Sequence, residues 1–283
     1  ITAASPEFQP SPASPLRPAV IGAIEEVTAE LWPGLPVLPV MSTGATDGLG
    51  KGLAERLAPT GARLLLHGRD EAKGVRLLEH LGASATGELV WCRADFSSLD
   101  QVAAVADRVI EEERLDVLVN NAGVGSYEPG GGERLESEDG YELRFAVNYL
   151  APFLLTRRLL PLLEHSAPSR IVNVASAGQA PIDFDDMMLE RAYSGGRAYS
   201  QSKLALIMFT LDLTEELNGS GVTANSLHPG TYMPTNMVKA AGVRPITPLE
   251  QGIEATLRLI ESPELDGVSG RYFDGTEESV PHP

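Results

Sequence analysis

From Val40 onward the chain alternates short β-rich runs with longer amphipathic stretches, and this rhythm restricts its fold more than any other feature. The runs are VMST from Val40, RLLLHG around Leu64, ELVWCR around Leu89, LDVLVNN around Val117, RIVNVAS around Val172, VTANSLH around Ala224 and GRYFDG near the end. Helical spacing of apolar residues appears near Leu53, Val75 and Val102, over Leu143 to His165 and Tyr199 to Asn218, and over Leu249 to Ile260. Strands that alternate with helices form right-handed βαβ units, which give a parallel sheet covered on both faces. An α/β fold with one doubly wound sheet is therefore expected over residues 40–283. Proline is confined to the first residue of a central strand or to a bulge, so the first strand should begin after Pro39.

Residues 1–39 read differently. Pro6, Pro10, Pro12, Pro15 and Pro18 punctuate a Ser- and Ala-containing leader that cannot supply a packed core. A short helix is expected from Ala19 to Leu31, broken by the prolines and glycine of Trp32 to Pro39.

Charge and cysteine content narrow the function classes. A net charge of −17 argues against a nucleic-acid partner, which needs a basic footprint. It leaves an anionic cofactor possible, because exposed charges are screened beyond about 8 Å at physiological salt. The one cysteine, Cys92, permits no intrachain disulfide and no thiolate metal cluster, so no metal is expected. No run of about 18 apolar residues marks a membrane span. The expectation is a cytoplasmic protein with a small-molecule substrate and no membrane partner.

TGATDGLG follows the first run, with Gly44, Gly48 and Gly50 spaced unlike GxGxxG but meeting the same demand. Glycines let the backbone turn tightly and approach a pyrophosphate, which then faces a helix N-terminus. The second run ends in His67, Gly68, Arg69 and Asp70. A carboxylate there suits a ribose 2′-hydroxyl and an arginine suits a 2′-phosphate, so Arg69 favours NADP while Asp70 keeps NAD open. Asp95 could accept from an adenine amino group or could cap the helix after it. NNAG, Asn120 to Gly123, ends the fourth run and permits close backbone approach.

Tyr199 and Lys203 are four apart and lie on one helix face. A phenol titrates near pH 10, and a neighbouring ammonium favours its anion. Lys203 is thus expected to lower the pKa of Tyr199. Ser176 stands at a strand tip, where it would offer a hydroxyl to the crevice at the sheet's carboxyl edge. Asn148 lies inside a helical stretch where an asparagine needs a reason.

TGATDGLG, NNAG, Val147–Asn148, VAS ending at Ser176, YSQSK ending at Lys203, and HPG from His228 to Gly230 occur in an order that resembles the short-chain dehydrogenases/reductases. The resemblance covers Val40 to Gly275, most of the chain. The long interval from Ser176 to Tyr199, with IDFDDMMLERAYSGGRAYSQSKLA, looks like the retinol-dehydrogenase-like branch, which mostly prefers NADP(H).

The resemblance implies a Rossmann-type sheet and hydride transfer between NADP(H), with NAD less favoured, and a small carbonyl or alcohol. Tyr199 would be the acid/base, Ser176 would bond the reacting oxygen, Lys203 would assist Tyr199 and hold ribose, and Asn148 would hold a relay water. Thr43, Gly44, Thr46, Gly48, Leu49 and Gly50 would line the cofactor with Arg69, Asp95 and Phe96. Asn121, Ala122 and Gly123 would join them, with Tyr199 and Lys203, and with Pro229, Gly230, Thr231 and Thr235 beside the carboxamide.

Residues 126–139, 181–197 and 231–244 are expected to rim the pocket, with Met187, Met188, Met233 and Met237 as adaptable lining. Helices over Leu143 to His165 and Tyr199 to Leu217 often pair between subunits in that family, so the alternatives are a homo-oligomer built on them or obstruction by the insertion before Tyr199. A cofactor-binding regulator without turnover is the alternative function. ELWPGLPVLPVMSTGATDG also resembles a segment of the M20 metallopeptidases, without their metal ligands. Convergent proline-rich sequence and a fused fragment are the two readings of that match.

Overall fold

Eight strands form one sheet in the order β3-β2-β1-β4-β5-β6-β7-β8 in the computed structural model, which describes residues 38–127 and 130–282. The strands are β1 (Val40–Ser42), β2 (Leu64–Gly68), β3 (Leu89–Arg93), β4 (Val117–Asn120), β5 (Ser169–Val174), β6 (Val222–His228), β7 (Tyr272–Asp274) and β8 (Glu277–Ser279). All neighbours pair in parallel except β7 and β8. The order reverses between β1 and β4, so a crevice opens there at the carboxyl ends of the strands.

Residue parity within each strand sorts the core into two layers. Met41, Leu65, Leu118 and Ile171 face the side covered by α3 (Leu99–Ile110), α5 (Ala151–His165) and α6 (Gly195–Glu216). Val40, Leu64, Leu66, Val117, Val119 and Val172 face α1 (Gly48–Leu57), α2 (Glu71–Leu81) and α8 (Leu249–Glu261). A sheet apolar on both faces needs both covers, which is why the strands read as continuous apolar runs.

β1 begins at Val40, as the proline rule requires. Pro39 has no amide hydrogen to give, yet its carbonyl accepts from the N–H groups of Asp116 and Val117 at 3.0 and 3.2 Å. The leader, the helix expected from Ala19 to Leu31 and the first part of the M20-like stretch, residues 30–37, lie outside the described residues.

Four elements differ from the sequence expectation. The stretch from Leu143 to His165 is not one uniform helix: α4 (Leu143–Phe145) passes through a π-helical turn, Ala146–Leu150, before α5. α6 starts at Gly195, ahead of Tyr199, because Ser194 accepts from the Arg197 N–H and caps it. β8 closes an antiparallel hairpin across Gly275 and Thr276, for which Asp274–Gly275 is the turn signal. A short helix α7 (Asn236–Ala240), capped by Thr235, also interrupts the loop after β6.

Buried amides stitch the sheet centre to one helical layer. Asn120 donates to Asn173 Oδ1 at 2.8 Å and Thr156 Oγ1 at 3.0 Å, and Asn173 donates to Thr210 Oγ1 at 2.9 Å. All four residues are almost completely buried. Asn173→Ala should lower unfolding free energy by about 2–4 kcal/mol, from orphaned polar groups and a small cavity. An unchanged urea midpoint would show that water or relaxation replaces the network.

Candidate functional site

The glycine turn from Thr43 to Gly50 is fixed mainly by Thr43. Its hydroxyl donates to Val119 O at 3.1 Å and accepts from the N–H groups of Asn121 and Ala122, each at 2.9 Å. Asn121 returns the bond, its amide donating to Thr43 O at 2.8 Å and Gly44 O at 3.2 Å. Thr43 is buried, so it braces the two loop tips and leaves ligand contact to its neighbours. Gly44 holds a left-handed φ of +68°. A Cβ at Gly50 would sit 2.3 Å from Gly44 O, so the helix starts where no side chain fits. Asp47 places no side-chain bond on the first turn of α1, and that turn carries no acidic residue. The free N–H groups there fit the pyrophosphate of a nicotinamide dinucleotide. Leu49 is buried behind the turn, and Thr46 packs its methyl near Gly68.

His67 is a support that motif reading missed. Its Nδ1 accepts from the Gly44 N–H at 3.2 Å, its Nε2 bonds Ala94 O at 3.1 Å, and its ring stacks on Phe96 with centroids 3.9 Å apart. Burial pulls its pKa down to about 4, so the neutral ring can accept at Nδ1 while donating at Nε2. The ring of Phe96 is thereby committed to the core. Three apolar leucines precede His67 in β2, and nothing local marks it as a ligand of the turn.

At the tip of β2, Asp70 caps α2 by accepting from the Lys73 N–H at 3.0 Å. Arg69 is exposed and makes no ion pair or side-chain hydrogen bond among the described residues. Asp95 Oδ1 accepts from the Ser97 N–H at 2.9 Å and shapes the turn before α3.

The second group gathers across β5 and α6. Ser176 follows β5, and its Oγ accepts from the Gly178 N–H at 3.0 Å, leaving its own proton to give. A Cβ at Gly178 would lie 3.5 Å from Ser176 Oγ and 3.6 Å from Tyr199 Cε1, so the two side chains meet at that glycine. Lys203, one turn along α6 and 4% exposed, donates to Val174 O at 2.8 Å, with its ammonium 5.9 Å from the Tyr199 ring centre. Asn148 sits in the π-helical turn, where its Oδ1 accepts from the Val124 N–H at 2.8 Å and its amide donates to Val124 O and Ser202 Oγ. A Cβ at Gly123 would lie 3.1 Å from Asn148 Oδ1 and 3.5 Å from Lys203 Nζ, so these three residues meet. Π-turns occur often at functional sites, and this one turns Asn148 inward.

One electrostatic expectation is corrected. Burial raises the Tyr199 pKa above its usual value, the Ser176 side chain lowers it, and Tyr232 adds to the rise. Lys203 does not reverse this: burial desolvates its ammonium and brings its own pKa down to about 8, and its hydrogen bond goes to the Val174 carbonyl. Desolvation of two neighbours outweighs their attraction here.

The loop after β6 closes the remaining side. Thr231 Oγ1 bonds His228 Nε2 at 3.0 Å, and the Thr231 N–H donates to Thr247 Oγ1 at 3.0 Å. Thr235 packs its methyl where a Cβ on Gly48 would stand, and the Asn236 N–H donates to Asp47 Oδ2 at 3.2 Å. Pro229 is buried, Gly230 packs near Thr247, and Tyr232 holds a left-handed φ of +47°. Of the four methionines, Met233 is in the core against Gly252 and Met188 accepts through sulfur from the Glu142 N–H. Only Met187 and Met237 are exposed. Among the described residues, no group of three acidic, histidine or cysteine side chains could hold a metal, and no helix is long and apolar enough to cross a membrane.

The family model for short chain dehydrogenase matches residues 39–244. Human retinol dehydrogenase 14 is 40% identical over 270 residues, covering 84% of this chain and 78% of that one. The RhlG/NADP active-site complex of Pseudomonas aeruginosa superposes with a TM-score of 0.69 at 26% identity, covering 85% of this chain and 95% of that chain. A short-chain dehydrogenase from Sphingobium yanoikuyae in complex with NADPH gives 0.65 at 27% identity, covering 78% and 83%. The chain belongs to the short-chain dehydrogenase/reductase family and is similar to its retinol dehydrogenases. Membership of that family makes it a dehydrogenase/reductase.

The buried lysine has a measurable cost. Its folded pKa, about 8, lies below the ordinary 10.5, so the unfolded chain binds the proton more tightly. The penalty is complete below pH 8 and fades as pH rises through 8 toward 10.5, so stability increases with pH in that window. It amounts to something on the order of 3 kcal/mol. Lys203→Met should therefore unfold at higher urea than the wild type at pH 7, with the gap closing by pH 10. A constant gap across that range would refute the assignment.

Proposed function

We propose that this protein is an NADP(H)-dependent oxidoreductase that interconverts a small carbonyl and the corresponding alcohol. The carrying observation is the meeting of Ser176 and Tyr199 at Gly178, with Lys203 buried one helical turn away. The nicotinamide supplies the hydride when bound. Tyr199, kept protonated at neutral pH by burial, gives its proton to the carbonyl oxygen during reduction and takes one from the hydroxyl during oxidation. Ser176 donates to the same oxygen, because Gly178 already occupies its acceptor side. Lys203 lies beneath the phenol and favours its anion as the proton leaves. Asn148 fixes the loop behind Lys203 and borders the route for a relay water.

Two observations support NADP over NAD. Arg69 is exposed with no ion pair or side-chain hydrogen bond among the described residues, and Asp70, the carboxylate that would suit a ribose hydroxyl, is committed to capping α2. Tyr127, Phe184, Tyr232 and Ile246 are exposed on the loops beyond β4, β5 and β6. Such a rim suits an apolar carbonyl, in keeping with the names of the retinol dehydrogenase relatives.

Tyr199→Phe should lower carbonyl-dependent NADPH oxidation by about 10²–10⁴-fold while leaving NADPH affinity intact. Equal slow rates in wild type and variant, across aldehydes and ketones, would favour a cofactor-sensing regulator instead. Arg69→Ala should weaken NADPH binding about 10–100-fold and leave NADH binding unchanged, since a charged hydrogen-bond pair is lost only with the former. Equal losses for both cofactors, read by fluorescence titration, would remove Arg69 from the phosphate site.

A further inference from the structure

Among the described residues the largest side chain buried completely is that of Arg144, in α4, and the proposed chemistry does not use it. Its guanidinium donates to two consecutive carbonyls of the loop after β4, Gly125 O through Nε at 2.9 Å and Ser126 O through Nη2 at 3.0 Å. Nη1 donates to Tyr193 Oη at 2.6 Å, with longer contacts to Glu133 O at 3.3 Å and Glu142 Oε1 at 3.5 Å. Tyr193 in turn donates its proton to Glu142 Oε1 at 2.9 Å. Glu142 is fully buried too, and its other oxygen accepts from the Phe145 N–H at 2.7 Å, capping α4. Burial and the Glu142 carboxylate raise the Tyr193 pKa, so the phenol stays a donor.

A buried ion pair is a poor source of stability, because apolar residues of similar volume serve as well or better. What it supplies is fixed geometry, and the groups it fixes bear on the cleft. Gly125 lies two residues beyond Gly123, which borders Asn148 and Lys203, and Met237 packs against it. Tyr193 stands two residues before α6, the helix that carries Tyr199 and Lys203. At the same junction a Cβ on Gly195 would be 2.2 Å from Ser126 O, so loop and helix start are in close contact. Four residues after Arg144, the same segment presents Asn148.

We infer that Arg144, with Glu142 and Tyr193, is a positioning device that sets the substrate-side wall of the cleft by locking the loop after β4 to the start of α6. This rests on the oxidoreductase reading above for its kinetic consequence, though not for its structural one. None of the contacts named above reaches the glycine turn or the tip of β2, so the phosphate end of the cofactor site should feel them least.

Tyr193→Phe removes only the hydroxyl that joins Arg144 to Glu142, and Arg144→Lys keeps the charge but loses the fork. For Tyr193→Phe we expect KM for the carbonyl substrate to rise about tenfold with kcat changed less than about threefold, and NADPH affinity to be unchanged. Arg144→Lys should move KM further in the same direction if it folds. Amide exchange at Gly125, Ser126 and Glu133 should be faster in Tyr193→Phe than in wild type, at equal global stability. An unchanged KM, an unchanged exchange rate, or a parallel loss of NADPH binding in Tyr193→Phe would each overturn the inference. If the wild type reduces no carbonyl, the oxidoreductase proposal fails by itself, and the exchange measurement then decides whether the device exists.

Discussion

The two central strands, β1 and β4, part at their carboxyl ends, and the hydroxyl of Thr43 holds that parting to one width. It gives its proton to β4 and takes two N–H groups from the loop beyond. With the Asn121 amide reaching back, two loops become one rigid lip. Everything on the cleft floor is placed from this lip: the glycine turn on one side, and Gly123 with its neighbours Asn148 and Lys203 on the other. His67 anchors the outer end of the same lip through Gly44. Positions that read in sequence as ligand contacts thus divide into those that face the cleft and those that hold the facing residues still.

Much of the architecture could be read directly, for a reason that lies in burial. Strands covered on both sides are apolar without interruption, and runs such as RLLLHG and RIVNVAS have no competing helical reading. Ser176, Tyr199 and Lys203 were legible because a strand tip and a four-residue spacing fix their directions locally. Features set by distant partners were not. Arg144 looks like an ordinary helix residue until Gly125, Ser126 and Tyr193 surround it, and the inward turn of Asn148 depends on a π-helical step that no spacing rule anticipates. β8 was passed over because three polar residues carry no strand pattern, although Asp274–Gly275 announced the hairpin. The rule that an amine acidifies a phenol one turn away considered the pair alone; the surroundings desolvate both.

That last point sets stability against chemistry. A lysine buried without a carboxylate destabilises the fold, yet its place beneath Tyr199 is the one from which it can favour the phenolate. The cost is met elsewhere, by two apolar layers and by the Asn120–Asn173 network at the sheet centre. The site is therefore strained electrostatically on a scaffold that is redundant in packing.

Pro39 has a consequence beyond fixing where β1 starts. Its carbonyl joins the ladder while its nitrogen has nothing to offer, so pairing cannot propagate backward from Val40 into whatever precedes it. The innermost strand is insulated from its upstream neighbour by a single imide. The register of that strand is thus set from Val40 onward, by its parallel neighbours β2 and β4 alone.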